Sequence, residues 1–233
     1  MSAAATSMQD VFEHCRNMDA SLTERLAILA DAVRSIQPSY TEAVDRLVAR
    51  LQRTNAGMNS PNIGEVMPPF LLTDENGYLV SLQELLSRGP IAVTFHRGHW
   101  CSFCRINISA LAKAHSEIAR EGGQIVAIVP ERQEFAFEFK NNAKADFPVL
   151  TDMDNGYAMS LGLAFSLSEE LKVMLANTAG DLATFQGNDL WALPIPATFV
   201  INRDSKIVAR FVDPDFRKRM AVAELLAALR ANI

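Results

Sequence analysis

Two cysteines three positions apart, Cys101 and Cys104, stand in the stretch "FHRGHWCSFCRINIS", residues 95 to 109. Thiols at that spacing can share a metal, staple a loop or pass electron pairs. A structural zinc needs four donors, and His96, His99, Cys101 and Cys104 are of the right types. A strand residue and a helix start are poorly placed to converge on one ion, however, and there is no second cysteine pair. Haem attachment needs a histidine directly after the second cysteine, where Arg105 stands. Burial of two small core side chains is the plain alternative.

The placement of the pair favours redox chemistry. "IAVTF" (91 to 95) reads as a strand buried on both faces, and residues 102 to 120 carry Cys104, Ile108, Leu111, His115 and Ile118 on one helical stripe. Cys101 is therefore expected at a helix start, where unpaired N–H groups and the positive dipole end favour a thiolate. Arg97, His99 and Arg105 lie near enough in sequence to add positive charge. Cys104, one turn further in, should be less exposed. The expected pair is an accessible, acidified attacker and a shielded partner that can close a disulfide onto it.

Other candidates divide cleanly. Cys15 and His115 fall on apolar helical faces and read as packed residues. His99 reads either as a group tuning the thiol or as a solvated loop residue. In "LPIPATFVI", Pro194 and Pro196 precede a buried strand; a cis bond at such a place would turn the chain sharply.

The elements that must position these residues follow from periodicity. Val11, Cys15, Met18, Leu22, Leu26, Leu29, Val33 and Ile36 recur at helical spacing, and Ser21 with Glu24 and Ser39 with Glu42 read as capping boxes. Residues 1–53 are expected to be an all-helical extension, 54–64 a linker, and 65–233 an α/β domain. In that domain "PFLLTDENGYLVSL" reads as a hairpin about Asn76-Gly77, and "QIVAIV" (124 to 129) as a second buried strand parallel to the first. "ATFVI" and "KIVARFV" flank a turn as an antiparallel pair, and "AVAELLAALR" closes the chain as a helix. The apolar stripe of the extension needs a cover, expected to be a second copy of the chain, with its own catalytic domain as the competing reading.

Composition narrows the function. The chain has 233 residues, 49% hydrophobic and 21% charged, with 22 Lys and Arg against 27 Asp and Glu. The net charge of −5 argues against a nucleic-acid protein. No window approaches the ~18 uninterrupted apolar residues of a membrane span. "MSAAATSMQDVFEHCRNMDA" has no basic leader before an apolar block, so the cytoplasm is the expected location. Three cysteines are too few for a disulfide scaffold, and the Gly-rich phosphate fingerprints are absent. No cofactor or metal is expected.

Strand, Trp-Cys-x-x-Cys, helix and a late Pro–Thr–strand resemble the thioredoxin fold, a three-layer α/β sandwich. Residues ~65 to 233 more closely resemble the peroxiredoxin-like branch of the alkyl hydroperoxide reductase / thiol-specific antioxidant family, an extent set by the pattern of elements. "FLLTDENGYLVSL", "FHRGHWCSFCRINISAL", "FPVLTDMDNGYAMSLGL", "PATFVINRDSKIVARFV" and "DPDFRKR" carry the match, most specifically around Arg97, Gly98, Trp100 and the cysteines. The resemblance implies that Cys101 is the attacking thiol, Cys104 the resolving one and Pro196 a cis-proline beside them, with Arg97, His99 and Trp100 in support. It implies an antioxidant peroxidase using a thioredoxin-like or low-molecular-weight thiol reductant; disulfide exchange and a non-catalytic redox sensor are the alternatives. Typical peroxiredoxins place a threonine where Gly98 stands, a proline where Thr94 stands and an arginine where Pro196 stands. Arg97 is the residue at hand to substitute for the arginine.

Overall fold

Short continuous apolar runs build the centre of the sheet, and longer runs with helical period cover it. In this computed structural model, which describes residues 7–178 and 180–233, the chain opens with α1 (Met8–Asn17), α2 (Leu22–Ile36) and α3 (Pro38–Arg53). The first six residues of the stretch read for a leader lie outside the described residues. There follow β1 (Leu71–Thr73), β2 (Leu79–Ser81), α4 (Leu82–Arg88), β3 (Ile91–Phe95), α5 (Ser102–Arg120) and β4 (Gln124–Val129). Next come α6 (Gln133–Ala143), β5 (Val149–Thr151), α7 (Gly156–Ser160), β6 (Ala164–Ser166), α8 (Glu169–Thr178) and α9 (Leu182–Gln186). The chain ends with β7 (Ala192–Pro194), β8 (Ala197–Ile201), β9 (Ile207–Val212) and α10 (Val222–Arg230).

Seven strands form one sheet in the order β2-β1-β5-β4-β3-β8-β9, and β6 pairs with β7 apart from it. β3, β4 and β5 are parallel, while β8 runs antiparallel to β3 and to β9. The parallel β3–β4 pair requires a crossover, and α5 supplies it. Alternation sorts each strand between two cores. Ala92, Ala127, Val129 and Val200 pack with α5 and α10, whereas Ile91, Val93, Phe95, Ile128 and Phe199 pack with α4 and α7. Burial on both faces explains why β3 and β4 read as continuous apolar runs. The result is a thioredoxin-like α/β sandwich with additional helices at the N-terminus.

Those first helices lie on their own chain. α1 and α2 contact α5, and α3 contacts α8. Phe12, Cys15, Leu22, Leu26, Leu29, Val44 and Leu47 join the same core as Ile106 and Ile108 of α5. Buried Arg25 ties α2 to the end of α1, donating from Nε to the Cys15 carbonyl and from Nη2 to the Arg16 carbonyl, both at 2.7 Å. The stripe that suggested a homodimer is thus covered within the chain, and Ile36, expected on it, is exposed. The capping box at Ser21 and Glu24 forms. The one expected at Ser39 and Glu42 does not: Pro38 takes the first helical position, so Ser39 is already inside α3, with Gln37 as the cap.

Candidate active site

Cys101 caps the N-terminus of α5 with extended backbone, and Cys104 lies one turn inside the helix. Both are free thiols, 3% and 0% exposed, so the attacker expected to be accessible is reached only through a pocket. Burial drives the Cys101 thiol pKa upward. Hydrogen bonding to the Cys104 thiol, the charges of Arg97 and Arg219 and the Cys104 amide outweigh it and bring the value down to about 5. Cys104 goes the other way: burial, the hydrogen bond to Cys101 and the Cys101 charge push it up to about 12. At neutral pH the pair is one thiolate and one thiol.

The Cys104 sulfur is held from two sides. The Arg97 backbone N–H donates to it at 3.4 Å, and Arg219 Nη2 donates to it at 3.4 Å. Arg219 is itself fixed by donating to the carbonyls of Phe216 and Lys218. The Arg97 guanidinium lies 3.7 Å above the Phe216 ring and 4.8 Å from that of Trp100, an apolar slot that keeps the cation next to the thiols. His96, fully buried, shares a 3.0 Å hydrogen bond between Nε2 and Thr94 Oγ1. Its pKa is lowered, first by burial, so this ring is neutral beside Cys104.

His99 points its chemistry elsewhere. Its backbone N–H donates to Glu131 Oε2 and its Nδ1 bonds Glu131 Oε1, each at 2.8 Å. The ring stacks on Phe135 and meets the edge of Phe185. It is neither a solvated loop residue nor a lining residue of the thiol pocket. Arg105 packs over the Phe12 ring at 4.1 Å and so binds α5 to α1, keeping only a weak charge interaction with Cys101.

The glycine before this histidine has a physical cause. Gly98 has φ +137°, and a β-carbon there would lie 2.5 Å from Glu131 Oε1 and 2.7 Å from Trp100 Nε1. The threonine that the resemblance leads one to expect would strain this backbone and displace the Glu131 carboxylate or the Trp100 ring. Burial raises the Glu131 pKa, against the bonds from His99.

A pocket of about 210 Å³ opens onto Cys101, lined by Arg97, Trp100, Phe103 and Phe216 from the α/β body and by Met8, Val33, Gln37 and Tyr40 from the first three helices. Pro196 is not part of it. No peptide bond among the described residues is cis, so the cis-proline expectation is corrected. Pairing explains this: β7 pairs through Pro194, Ile195 N–H donates to the Leu163 carbonyl at 2.6 Å, and β8 begins at Ala197. The chain continues from one strand to the next through a buried Pro196 without a reversal. His99 is held away from His96 and the cysteines by Glu131, and among the described residues no three or more His, Cys, Asp or Glu side chains are arranged to hold a metal ion.

Sequence reading did not single out Arg219, Glu131 or Tyr40. Arg219 lay within "DPDFRKR", a stretch noted for resemblance alone, and nothing local marked the other two.

A cysteine pair at the start of the helix after a central strand is the arrangement of an oxidoreductase of the thioredoxin fold. The chain belongs to the AhpC/TSA family, whose model matches residues 63–210. A relative, the thiol-disulfide oxidoreductase ResA of Bacillus subtilis (strain 168), is 27% identical over 154 residues, covering 66% of this chain and 69% of that protein. Among solved structures, the peroxidoxin BcpB of Mycobacterium tuberculosis superposes with a TM-score of 0.56 at 22% identity, over 72% of this chain and 96% of that one. A putative thiol:disulfide interchange protein DsbE of Chlorobium tepidum gives 0.51 at 20% identity, over 73% and 99%. These two likenesses are of fold. No described helix is long and apolar enough to cross a membrane.

Proposed function

We propose that this protein is a thiol-dependent antioxidant peroxidase that reduces hydroperoxides through Cys101, with Cys104 resolving the product to an intramolecular disulfide. One observation carries the reading. The thiolate faces a pocket of about 210 Å³, smaller than the ~300–1,000 Å³ of sites for drug-sized ligands. Such a pocket admits a small oxidant more readily than a segment of a folded protein.

In the first step the Cys101 thiolate attacks the hydroperoxide and becomes a sulfenic acid. The Cys101 charge, one of the causes that hold Cys104 protonated, disappears at that moment. Arg219 and His96, which both favour the Cys104 thiolate, then act unopposed by it. Cys104 attacks the sulfenic sulfur, an S–S bond replaces the S–O bond, and water leaves. A thioredoxin-like protein or a low-molecular-weight thiol supplies two electrons to reopen the disulfide. Three cysteines in the chain suit a reducing compartment, and we assign the cytoplasm.

Disulfide exchange is the second reading, supported by the ResA relative and by the shielded second cysteine. There the thiolate attacks a disulfide and Cys104 releases the mixed disulfide. Peroxide consumption by purified protein with a thioredoxin system, beside Cys101→Ser and an insulin-reduction assay, decides between them. Peroxide turnover that Cys101→Ser abolishes is expected. Insulin reduction without peroxide turnover would replace the first reading by the second.

A further inference from the structure

The pocket wall contains a tyrosine that lies outside the part of the chain matching the family. Tyr40, in the first turn of α3, lines the pocket together with Cys101 and Arg97, and it is half-buried. Its hydroxyl lies close enough to interact with Arg97 and with Cys101. A guanidinium carries donors only, so toward Arg97 the Tyr40 oxygen can only accept, and its own O–H stays available as a donor in the pocket they share. A hydroxyl that accepts from a cation is also a stronger donor in turn.

From this arrangement we infer that Tyr40 is a substrate-contacting catalytic residue whose hydroxyl donates to the leaving oxygen of the hydroperoxide. The inference rests on the peroxidase reading. In the step concerned, the Cys101 thiolate forms an S–O bond to the terminal, hydrogen-bearing oxygen of ROOH as the O–O bond breaks. The sulfur is oxidised by two electrons to the sulfenic acid. The alkoxide RO⁻ takes a proton from water and leaves as the alcohol. Negative charge grows on the RO oxygen as the bond breaks, and a fixed donor aimed at growing charge accelerates the step.

The need for such a donor is visible at Gly98. A threonine there would crowd Glu131 and Trp100 on a strained backbone, and the glycine present offers no hydroxyl. α3 brings one from the opposite wall. The helical extension therefore supplies a chemical group as well as a cover, and the family-matching stretch from residue 63 is not the whole active site.

Tyr40→Phe keeps the ring and removes only the hydroxyl. Stopped-flow oxidation of Cys101 by cumene hydroperoxide should slow by roughly tenfold or more, the scale of losing one such donor. Alkylation of the same thiol by iodoacetamide, which has no peroxide oxygen to orient, should keep its rate and its pH midpoint. An unchanged peroxide rate would overturn the inference. So would equal slowing of both reactions, which would mean that the hydroxyl acts on the thiolate alone. Ser102, the other hydroxyl lining the pocket, supplies a third arm: a larger loss in Ser102→Ala than in Tyr40→Phe would also overturn it. Failure of the unaltered protein to react with peroxide sinks the peroxidase reading and this inference together, and so is told apart from an unaffected variant.

Discussion

Arg219 Nη2 stands 3.4 Å from Cys104 Sγ, although 115 residues separate them in the chain. A charge-assisted bond of this kind contributes ~1.5–3 kcal/mol. Its loss matters most once Cys104 must ionise. Arg219→Gln should slow disulfide closure by roughly 10–100-fold, each tenfold being about 1.36 kcal/mol. Sulfenic acid at Cys101 should then accumulate and be trapped by dimedone in rapid-quench mass spectrometry. Closure at the unaltered rate would remove Arg219 from the resolving step.

Thiol reactivity should persist well into acid. With the Cys101 pKa lowered to about 5, the thiolate is present above that pH and is lost as pH falls through it. Alkylation of reduced protein, followed on the Cys101 peptide, should show a midpoint near that value, against ~8.5 for a free cysteine. Cys15, fully buried with its pKa raised by burial, should stay unlabelled until the protein unfolds. A midpoint at the free-cysteine value would remove the case for an activated nucleophile.

Gly98→Ala should destabilise the fold. Holding a residue with a β-carbon at positive φ costs ~1–3 kcal/mol, and the crowding against Glu131 adds to it. Denaturant unfolding measures this directly. Gly98→Thr, which installs the family's usual hydroxyl, should lose stability and gain no peroxide turnover. A stable, faster Gly98→Thr variant would show that the loop can relax around Glu131.

Leu29→Ala tests the union of the first helices with the α/β body. Leu29 is fully buried in the core shared with α5, and such truncations cost ~2–5 kcal/mol. One cooperative transition, shifted to lower denaturant, is expected by circular dichroism and fluorescence alike. Two separate transitions would mean that α1–α3 unfold by themselves.

Much of this architecture is legible in local sequence. Residues 91 to 95, 102 to 120 and 124 to 129 are a strand, a helix and a strand at the bounds read from periodicity, because burial on both faces or on one stripe leaves a regular apolar pattern. The same pattern puts Cys101 at a helix start, and from that alone its acidity follows in direction. Charge, by contrast, acts through space. The arginines that lower the Cys101 pKa most are Arg97, near in sequence, and Arg219, far from it; Arg105, as near as Arg97, packs over Phe12 and interacts with Cys101 more weakly. His99 reads in sequence as either a tuning group or a solvated loop residue, and Glu131, 32 residues on, binds its backbone N–H and its Nδ1 instead. The cover of the helical stripe was undecidable from periodicity, since an apolar face records that something packs on it and not what. Tertiary structure alone set α1 and α2 against α5 and α3 against α8, and brought Tyr40 to the thiol pocket, because side chains meet where elements pack, and no spacing along the chain encodes that meeting.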